Sequence, residues 1–135
     1  MKINYPPTTD EQFTEVLLSF LSSLRPVKQR LTNSEIEHLT EFINLAPKYR
    51  SQMFSTLSKT KVKDILRSKG KTATAGNINI KLYSLIKKGY LKRDEDSVIV
   101  LQPSVQRLLD TFRQTGKLQF SLNFNRAKEE NTTNN

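Results

Sequence analysis

The chain lacks most of the residues from which catalytic and metal sites are built. It has no cysteine and a single histidine, His38, which excludes disulfide frameworks, thiolate nucleophiles and zinc sites with several Cys or His ligands. It also has no glycine-rich phosphate loop, and its acidic residues are scattered. We therefore predict a protein that is not an enzyme and that uses no cofactor, no metal and no small-molecule substrate.

Long hydrophobic runs are missing as well. The longest apolar stretch, residues 16–24, is interrupted by three serines and is too short to span a bilayer. Residues 1–7 show no apolar region of the kind that a signal peptide has. We expect a soluble cytoplasmic protein without a membrane partner, or alternatively a protein packaged in a virion.

Positive charge, in contrast, is abundant and concentrated. The net charge is +9, and the segment from Lys48 to Arg93 holds thirteen Lys and Arg residues against one acid, Asp64. That segment therefore carries +12 and the rest of the chain −3. Such a concentration favours a polyanionic partner, with nucleic acid first; the alternative is a basic surface that only keeps the protein soluble.

The 135 residues suit one domain with short appendages. Pro6 and Pro7 favour an extended arm over residues 1–8. A capping box at Thr9 begins an accessory helix over residues 9–25, which Pro26 ends. The apolar residues of this helix are Phe13, Val16, Leu17, Phe20, Leu21 and Leu24. The stripe fits either a brace across the core or the seam of a homodimer.

A second capping box, from Thr32 to Glu35, begins the next helix, and Pro47 ends it. The inward residues of this helix are Ile36, Leu39, Phe42 and Ile43. We predict that His38 lies on its polar side, at the surface. Residues 49–54 fit either a short helix or a short strand.

The basic segment predicts two helices around a short turn. Ser58 caps the first, which Gly70 ends. Its inward residues are Val62, Ile65 and Leu66, and its outward residues are Lys59, Lys61, Lys63, Arg67 and Lys69. The second covers residues 74–88, with Ile78, Leu82 and Leu85 inward, and stops at Gly89. Two helices around a short turn, the second amphipathic and basic, are typical of a helix-turn-helix motif.

A hairpin and a further helix follow. Residues 94–97 are an acidic turn, and the β-branched run over residues 98–101 is a strand. Pro103 lies in the first turn of a helix that ends before Gly116. The buried stripe of that helix is Val105, Leu108, Leu109 and Phe112.

The last segment alternates apolar and polar residues, which predicts a strand over residues 117–125. Its apolar residues are Leu118, Phe120, Leu122 and Phe124. A lone strand is unstable, so this one pairs with the hairpin, with a segment near the first helix or with another chain. The four residues are therefore candidates for partner binding, and residues 126–135 are predicted to be a polar, flexible tail.

Residues 32–109 resemble a winged helix-turn-helix domain. The likeness is carried by the run KLYSLIKKGYLKRDED followed by VIVLQP, which is similar to the recognition helix and wing of that superfamily. The small size and the Lys- and Asn-rich composition of the chain also resemble phage- or plasmid-encoded proteins of this class. The resemblance implies structural roles for Leu85, Gly89 and Leu91 and a recognition helix over residues 74–88. The expected fold is mainly α with a small β-hairpin: a winged helix-turn-helix core over residues 27–116, with an extra N-terminal helix and a C-terminal strand and tail.

Projection of the recognition helix predicts the residues that face a ligand. Asn77, Ile80, Ser84, Lys87 and Lys88 lie on or near the outer side, and Lys81 lies on a flank. In a major groove, Asn77 could read adenine, Ile80 could meet a thymine methyl and Lys81 could reach guanine or phosphate. The predicted phosphate anchors are Lys59, Lys61, Lys87, Lys88, Lys92 and Arg93.

Two features also fit a protein contact. The hairpin tip carries Asp94, Glu95 and Asp96, which would repel a phosphate backbone, so we expect that the wing does not touch DNA. An exposed Ile80 suits a protein surface as well as a thymine methyl. Asn77 is equally consistent with the ordinary polarity of a helix start.

The sequence thus predicts a winged-helix protein that binds double-stranded DNA and regulates transcription or replication. The alternative is a structural or adaptor component of a phage particle or other large assembly, which makes protein contacts, or a homodimer, through its N-terminal helix and C-terminal strand. RNA binding is a third option, for which stacking aromatic residues are sparse.

Overall fold

The computed structural model describes residues 10–49 and 52–115. In those residues it contains five α-helices and a two-stranded antiparallel sheet, which confirms the predicted mainly α fold with a small hairpin. The elements in chain order are α1 (Asp10–Ser23), α2 (Asn33–Tyr49), α3 (Thr56–Ser68), α4 (Ala75–Lys87), β1 (Leu91–Arg93), β2 (Ile99–Leu101) and α5 (Pro103–Thr115), with a 3-10 turn at Val27–Gln29.

Several predictions fall on residues outside these ranges. They are the arm over residues 1–8, the Thr9 cap, the strand over residues 117–125 and the tail over residues 126–135. The predicted partner-binding residues Leu118, Phe120, Leu122 and Phe124 therefore also lie outside the described residues. None of the helices within residues 10–49 and 52–115 combines the length and the apolar character that crossing a bilayer requires.

One hydrophobic core collects side chains from all five helices and both strands. Its most deeply buried members include Leu39, Phe42, Ile43, Val62, Leu66, Ile78, Leu82, Leu85, Tyr90, Leu91 and Val105. The rings of Phe42 and Phe54 lie 5.0 Å apart between centroids. Full burial of one such large apolar side chain contributes about 1.5 to 3 kcal/mol, so this core holds α3, α4 and the hairpin in fixed relative positions.

Helix α1 packs against α2 of its own chain. Leu17 and Leu18 are buried in this contact, and the Thr14 hydroxyl donates a hydrogen bond to Asn44 Oδ1 at 3.3 Å. The buried stripe differs from the predicted one, because Leu18 belongs to it. Leu24 follows the end of α1 and is 58% exposed.

Helices α3 and α4 both end in a glycine with a left-handed backbone, as the sequence predicts. Gly89 has φ +87°, the Gly89 N–H donates to the Ile86 carbonyl at 3.1 Å, and the Tyr90 N–H donates to the Leu85 carbonyl at 3.0 Å. This pair of bonds is a Schellman motif. The Arg25 guanidinium adds a third contact at the same place: it donates to the Lys88 carbonyl at 3.1 Å and lies 4.1 Å from the Tyr90 ring centroid.

The hairpin starts directly after this turn. Leu91 pairs with Leu101, Lys92 with Val100 and Arg93 with Ile99. The Asp94 carboxylate accepts hydrogen bonds from the Asp96 and Val98 N–H groups at 2.8 and 3.0 Å. The acidic tip of the hairpin is therefore held in one conformation by its first residue.

Two predicted helix boundaries are wrong. The cap of α3 is Ser55, whose side chain accepts a hydrogen bond from the Ser58 N–H; Ser58 lies inside the helix, fully buried, and its hydroxyl donates to the Gln52 carbonyl at 2.8 Å. Helix α2 continues past Pro47 to Tyr49. A proline in a helix lacks one backbone N–H hydrogen bond, and its ring crowds the carbonyl of the preceding turn. Tertiary packing can compensate for that cost.

The stretch that fits either a helix or a strand divides between α2 and a turn. Residue 49 ends α2, and the Ser55 N–H closes the turn by donating to the Gln52 carbonyl at 3.0 Å. Met53 and Phe54 are buried in the core. In the part of this stretch that the structure describes, residues 49 and 52–54, there is no strand.

Candidate nucleic-acid interface

Helices α3 and α4 present a basic cleft between their N-terminal halves. The cleft has a volume of about 170 Å³ and is lined by Thr56, Lys59, Thr60 and Lys63 of α3 and by Ala75 and Asn79 of α4. None of its lining residues within 10–49 and 52–115 is acidic. Thr74 starts α4 by accepting the Asn77 N–H at 3.1 Å, so the predicted start of this helix is confirmed to within one residue.

The outer face of α4 carries three of the predicted contact residues. Asn77 and Lys87 are exposed, and Ile80 is 64% exposed. Tyr83, one turn further along from Ile80, is 60% exposed, and the Arg93 guanidinium lies 5.9 Å from its ring centroid. The face is therefore polar at both ends and apolar in the middle.

Ser84 of α4 and Lys88, which follows the helix directly, do not point outward as predicted. Ser84 Oγ donates to Glu35 Oε2 at 2.5 Å, and Lys88 Nζ donates to Glu35 Oε1 at 2.5 Å. The Glu35 side chain is only 3% exposed and that of Lys88 only 19%. The placement of Ser84 and Lys88 among the outward contact residues is wrong, because a buried carboxylate of α2 already holds both.

Glu35 is the centre of this cluster. It completes the predicted capping box, since Oε1 accepts the Thr32 N–H at 2.8 Å while its own N–H donates to Thr32 Oγ1 at 3.1 Å. Burial by itself raises the pKa of Glu35, but the hydrogen bonds from Lys88, Ser84 and the Thr32 backbone together outweigh it and lower the pKa below its ordinary value of 4.5. The ionised carboxylate therefore joins the start of α2 to the end of α4.

The lysines that follow α3 are also engaged within the chain. Lys69 pairs with Glu41 at 2.5 Å, and Lys71 pairs with Glu37 at 3.0 Å. Arg67 Nε donates to the Ala73 carbonyl at 2.7 Å. These cations fasten the connection between α3 and α4 to α2.

A second group of lysines has no acidic partner among the described residues. Lys28 on the 3-10 turn is one of them. The other six are Lys59, Lys61 and Lys63 on α3, Lys81 and Lys87 on α4, and Lys92 on β1. We call this group of six the free lysines. It includes the predicted anchors Lys59, Lys61, Lys87 and Lys92 and the predicted base contact Lys81.

Arg93, the last predicted anchor, has an intramolecular role as well. Its guanidinium donates to the Ser97 carbonyl at 3.0 Å and so braces the hairpin whose tip carries Asp94, Glu95 and Asp96. All three acids are exposed. A phosphate backbone would be repelled at this tip and attracted at the free lysines, because the two regions carry opposite charge.

His38 is buried, at 5% exposure, and not at the surface as predicted. Its Nδ1 lies 2.7 Å from the Ser34 carbonyl, to which it donates in the neutral tautomer. Burial lowers the pKa of His38, and nearby Lys81 lowers it further. In the part of the chain that the structure describes, no three His, Asp or Glu side chains converge on a possible metal site.

Five of the six residues that line the cleft are not among the predicted contact residues: Thr56, Thr60, Lys63, Ala75 and Asn79. Lys63 is predicted only to face outward on α3, although it lies one helical turn from Lys59 on the same face and its spacing could have indicated a contact role. Thr56 could not be placed, because the misassigned cap at Ser58 put it outside the helix. Both line the cleft between α3 and α4.

Comparison with known proteins assigns no family. No protein-family model matches the chain, and neither the search of curated proteins nor that of solved structures found a significant match. Any function must therefore be argued from the residues and their arrangement.

Proposed function

We propose that the chain is a winged-helix protein that binds double-stranded DNA and acts as a regulator of transcription or replication. The observation that carries the proposal is the division of the lysines: Lys69, Lys71 and Lys88 form ion pairs, whereas the free lysines gather on α3, α4 and β1. Lysines that no acid neutralises retain their attraction for phosphate.

The order and packing of the elements support the winged-helix assignment. Helices α2, α3 and α4 share one core, and the hairpin follows α4 directly. Helix α4 then acts as the recognition helix, with its exposed face in the major groove and α3 beside it on the backbone. Such a placement uses Asn77, Lys81 and Lys87 on α4 and Lys59 and Lys63 on α3.

The test compares two double variants with the same loss of charge. Lys59→Ala with Lys63→Ala removes two free lysines, while Lys69→Ala with Lys71→Ala removes two that are paired. Each phosphate contact contributes about 0.9 to the slope of log K against log salt concentration. We expect the first variant to bind the duplex more weakly and to reduce the magnitude of this slope by about 1.8. The second variant should leave the slope unchanged. Equal slopes in wild type and both variants would refute the proposal.

A second candidate function, that of a protein-binding adaptor in a phage particle or other assembly, is favoured by the acidic hairpin tip. The tip is fixed in shape by Asp94 and repels DNA, so it suits a basic protein surface. Asp94 itself holds the turn, so the test changes only Glu95→Gln and Asp96→Asn. An adaptor would lose its incorporation into the assembly, whereas a DNA-binding protein would keep or gain duplex affinity.

A further inference from the structure

The middle of the exposed face of α4 is apolar, between polar ends. Ile80 is 64% and Tyr83 60% exposed, and Gly76, one turn before Ile80, is exposed and has no side chain. Residues three and four apart are neighbours on one helix face. The three positions therefore form a continuous surface that offers no side-chain donor or acceptor except the Tyr83 hydroxyl.

Neither Gly76 nor Ile80 is a residue that helix stability favours at its position. A Cβ at Gly76 would meet only Thr74 Oγ1, at 4.0 Å, so the fold has room for alanine there, which favours helix more strongly. Ile80 is β-branched, which is unfavourable in a helix, and most of its side chain is left in water. Two residues of low helix propensity thus lie one turn apart on the same exposed face, which indicates that this face contacts a ligand outside the chain.

The charges around this apolar surface indicate which ligand fits it. Lys81 and Lys87 lie on the same helix, and Lys59 and Lys63 lie on the neighbouring α3. Duplex DNA has the matching arrangement, because the phosphates form the edges of the major groove and the base edges form its floor. In that floor the single apolar group of an unmodified base is the 5-methyl group of thymine.

We propose that Ile80 recognises thymine through its 5-methyl group, with Gly76 allowing the backbone of α4 to come close to the groove floor. This inference rests on the proposed DNA binding and adds its base preference. Ile80 cannot form a hydrogen bond with any base edge, so contact with a methyl group is the way in which it discriminates among bases.

The experiment removes the methyl groups without changing base pairing. The full chain selects duplexes from a random-sequence pool, and the retained duplexes are then copied with either thymine or uracil. Loss of one buried methyl group lowers affinity about fourfold. We expect weaker binding of the uracil copies by at least that factor, and we expect Ile80→Ala to bind both copies equally. Where exchange of a thymine–adenine pair for cytosine–guanine weakens binding by wild type, 5-methylcytosine at that same position should restore part of the affinity.

Val27→Ala is the matched control, because Val27 is a β-branched residue that is 76% exposed on the 3-10 turn. It should keep the full preference for thymine. Equal binding of both copies by wild type, or a preference that survives in Ile80→Ala, would overturn the inference; the latter is also the result expected if Ile80 serves a protein partner. If no duplex is retained at all, the proposed function itself fails and this inference fails with it.

Discussion

Replacing Glu35 by glutamine tests the buried link between α2 and α4. The glutamine keeps the shape of the side chain but removes the charge that attracts Lys88. Its amide NH2 group is a donor, whereas Ser84, Lys88 and the Thr32 N–H all require an acceptor. A buried hydrogen-bonded ion pair that loses one partner costs several kcal/mol, and Lys88 can recover part of that by turning toward solvent. We expect a loss of about 2 to 3 kcal/mol in the free energy of unfolding at pH 7.

The matched control is Glu37→Gln on the same helix. Glu37 pairs with Lys71 at 3.0 Å, and their side chains are 30% and 52% exposed. A pair this exposed contributes below about 1 kcal/mol. Urea denaturation of wild type and the two variants gives the comparison directly. The slope of the free energy of unfolding against urea concentration should be the same in all three, so that a shift in midpoint reports a change in stability.

The difference in the free energy of unfolding between wild type and Glu35→Gln should depend on pH, which gives an independent check. The folded pKa of Glu35 is lowered, so its stabilisation is fully present above the unfolded value near 4.5 and disappears as the pH falls through the folded pKa. The gap between wild type and Glu35→Gln should therefore narrow in acid. Equal losses in both variants at pH 7, or a gap that persists unchanged in strong acid, would refute the reasoning.

Three further variants test other parts of the structure. Gly76→Ala should raise the free energy of unfolding by up to about 1 kcal/mol, because alanine favours helix more than glycine does, and it should lower duplex affinity. Unchanged affinity would contradict a close approach of the α4 backbone to the groove floor. The melting temperature of wild type should fall below pH 6.5, because the lowered folded pKa of His38 makes the unfolded chain bind the proton first, and His38→Asn should reduce this fall. Arg25→Ala should cost about 1 to 2 kcal/mol in urea denaturation by removing the cation at the end of α4 and over Tyr90; a change near zero would show that neither contact matters.

Local signals in the sequence predicted the elements that their own residues define. Helix α4 begins after its cap at Thr74 and ends before Gly89, within one residue of the predicted limits. Residues 94–97 form the turn of the hairpin, as predicted. The capping box of Thr32 and Glu35 was also visible. In each case the residues that determine the structure are neighbours in the chain.

Contacts between distant residues could not be predicted in this way. Glu35 was assigned its capping role, but its hydrogen bonds to Ser84 and Lys88 join positions 49 and 53 residues apart. His38 was placed at the surface because apolar spacing marks only one stripe of α2. That helix is in fact covered by α1, α3 and α4, so polar residues beside the stripe are buried too.

The same limit applies to the candidate interface. Lys87 and Lys88 are identical in type and adjacent in sequence, and both were predicted to anchor phosphate. Only the fold distinguishes them, because Lys88 lies against Glu35 whereas Lys87 is exposed. This pair of neighbours therefore marks the boundary between the exposed face of α4, which we propose binds DNA, and the interior of the protein.

The most direct test of the proposed DNA-binding surface measures duplex affinity against salt concentration for Lys87→Ala and Lys88→Ala, at a temperature where both variants are folded. A lysine on phosphate contributes about 0.9 to the salt slope. We expect the slope to fall by about that amount in Lys87→Ala and to match wild type in Lys88→Ala, which should instead lose thermal stability. A slope unchanged by Lys87→Ala, or reduced by Lys88→Ala, would contradict the assignment of this face to DNA.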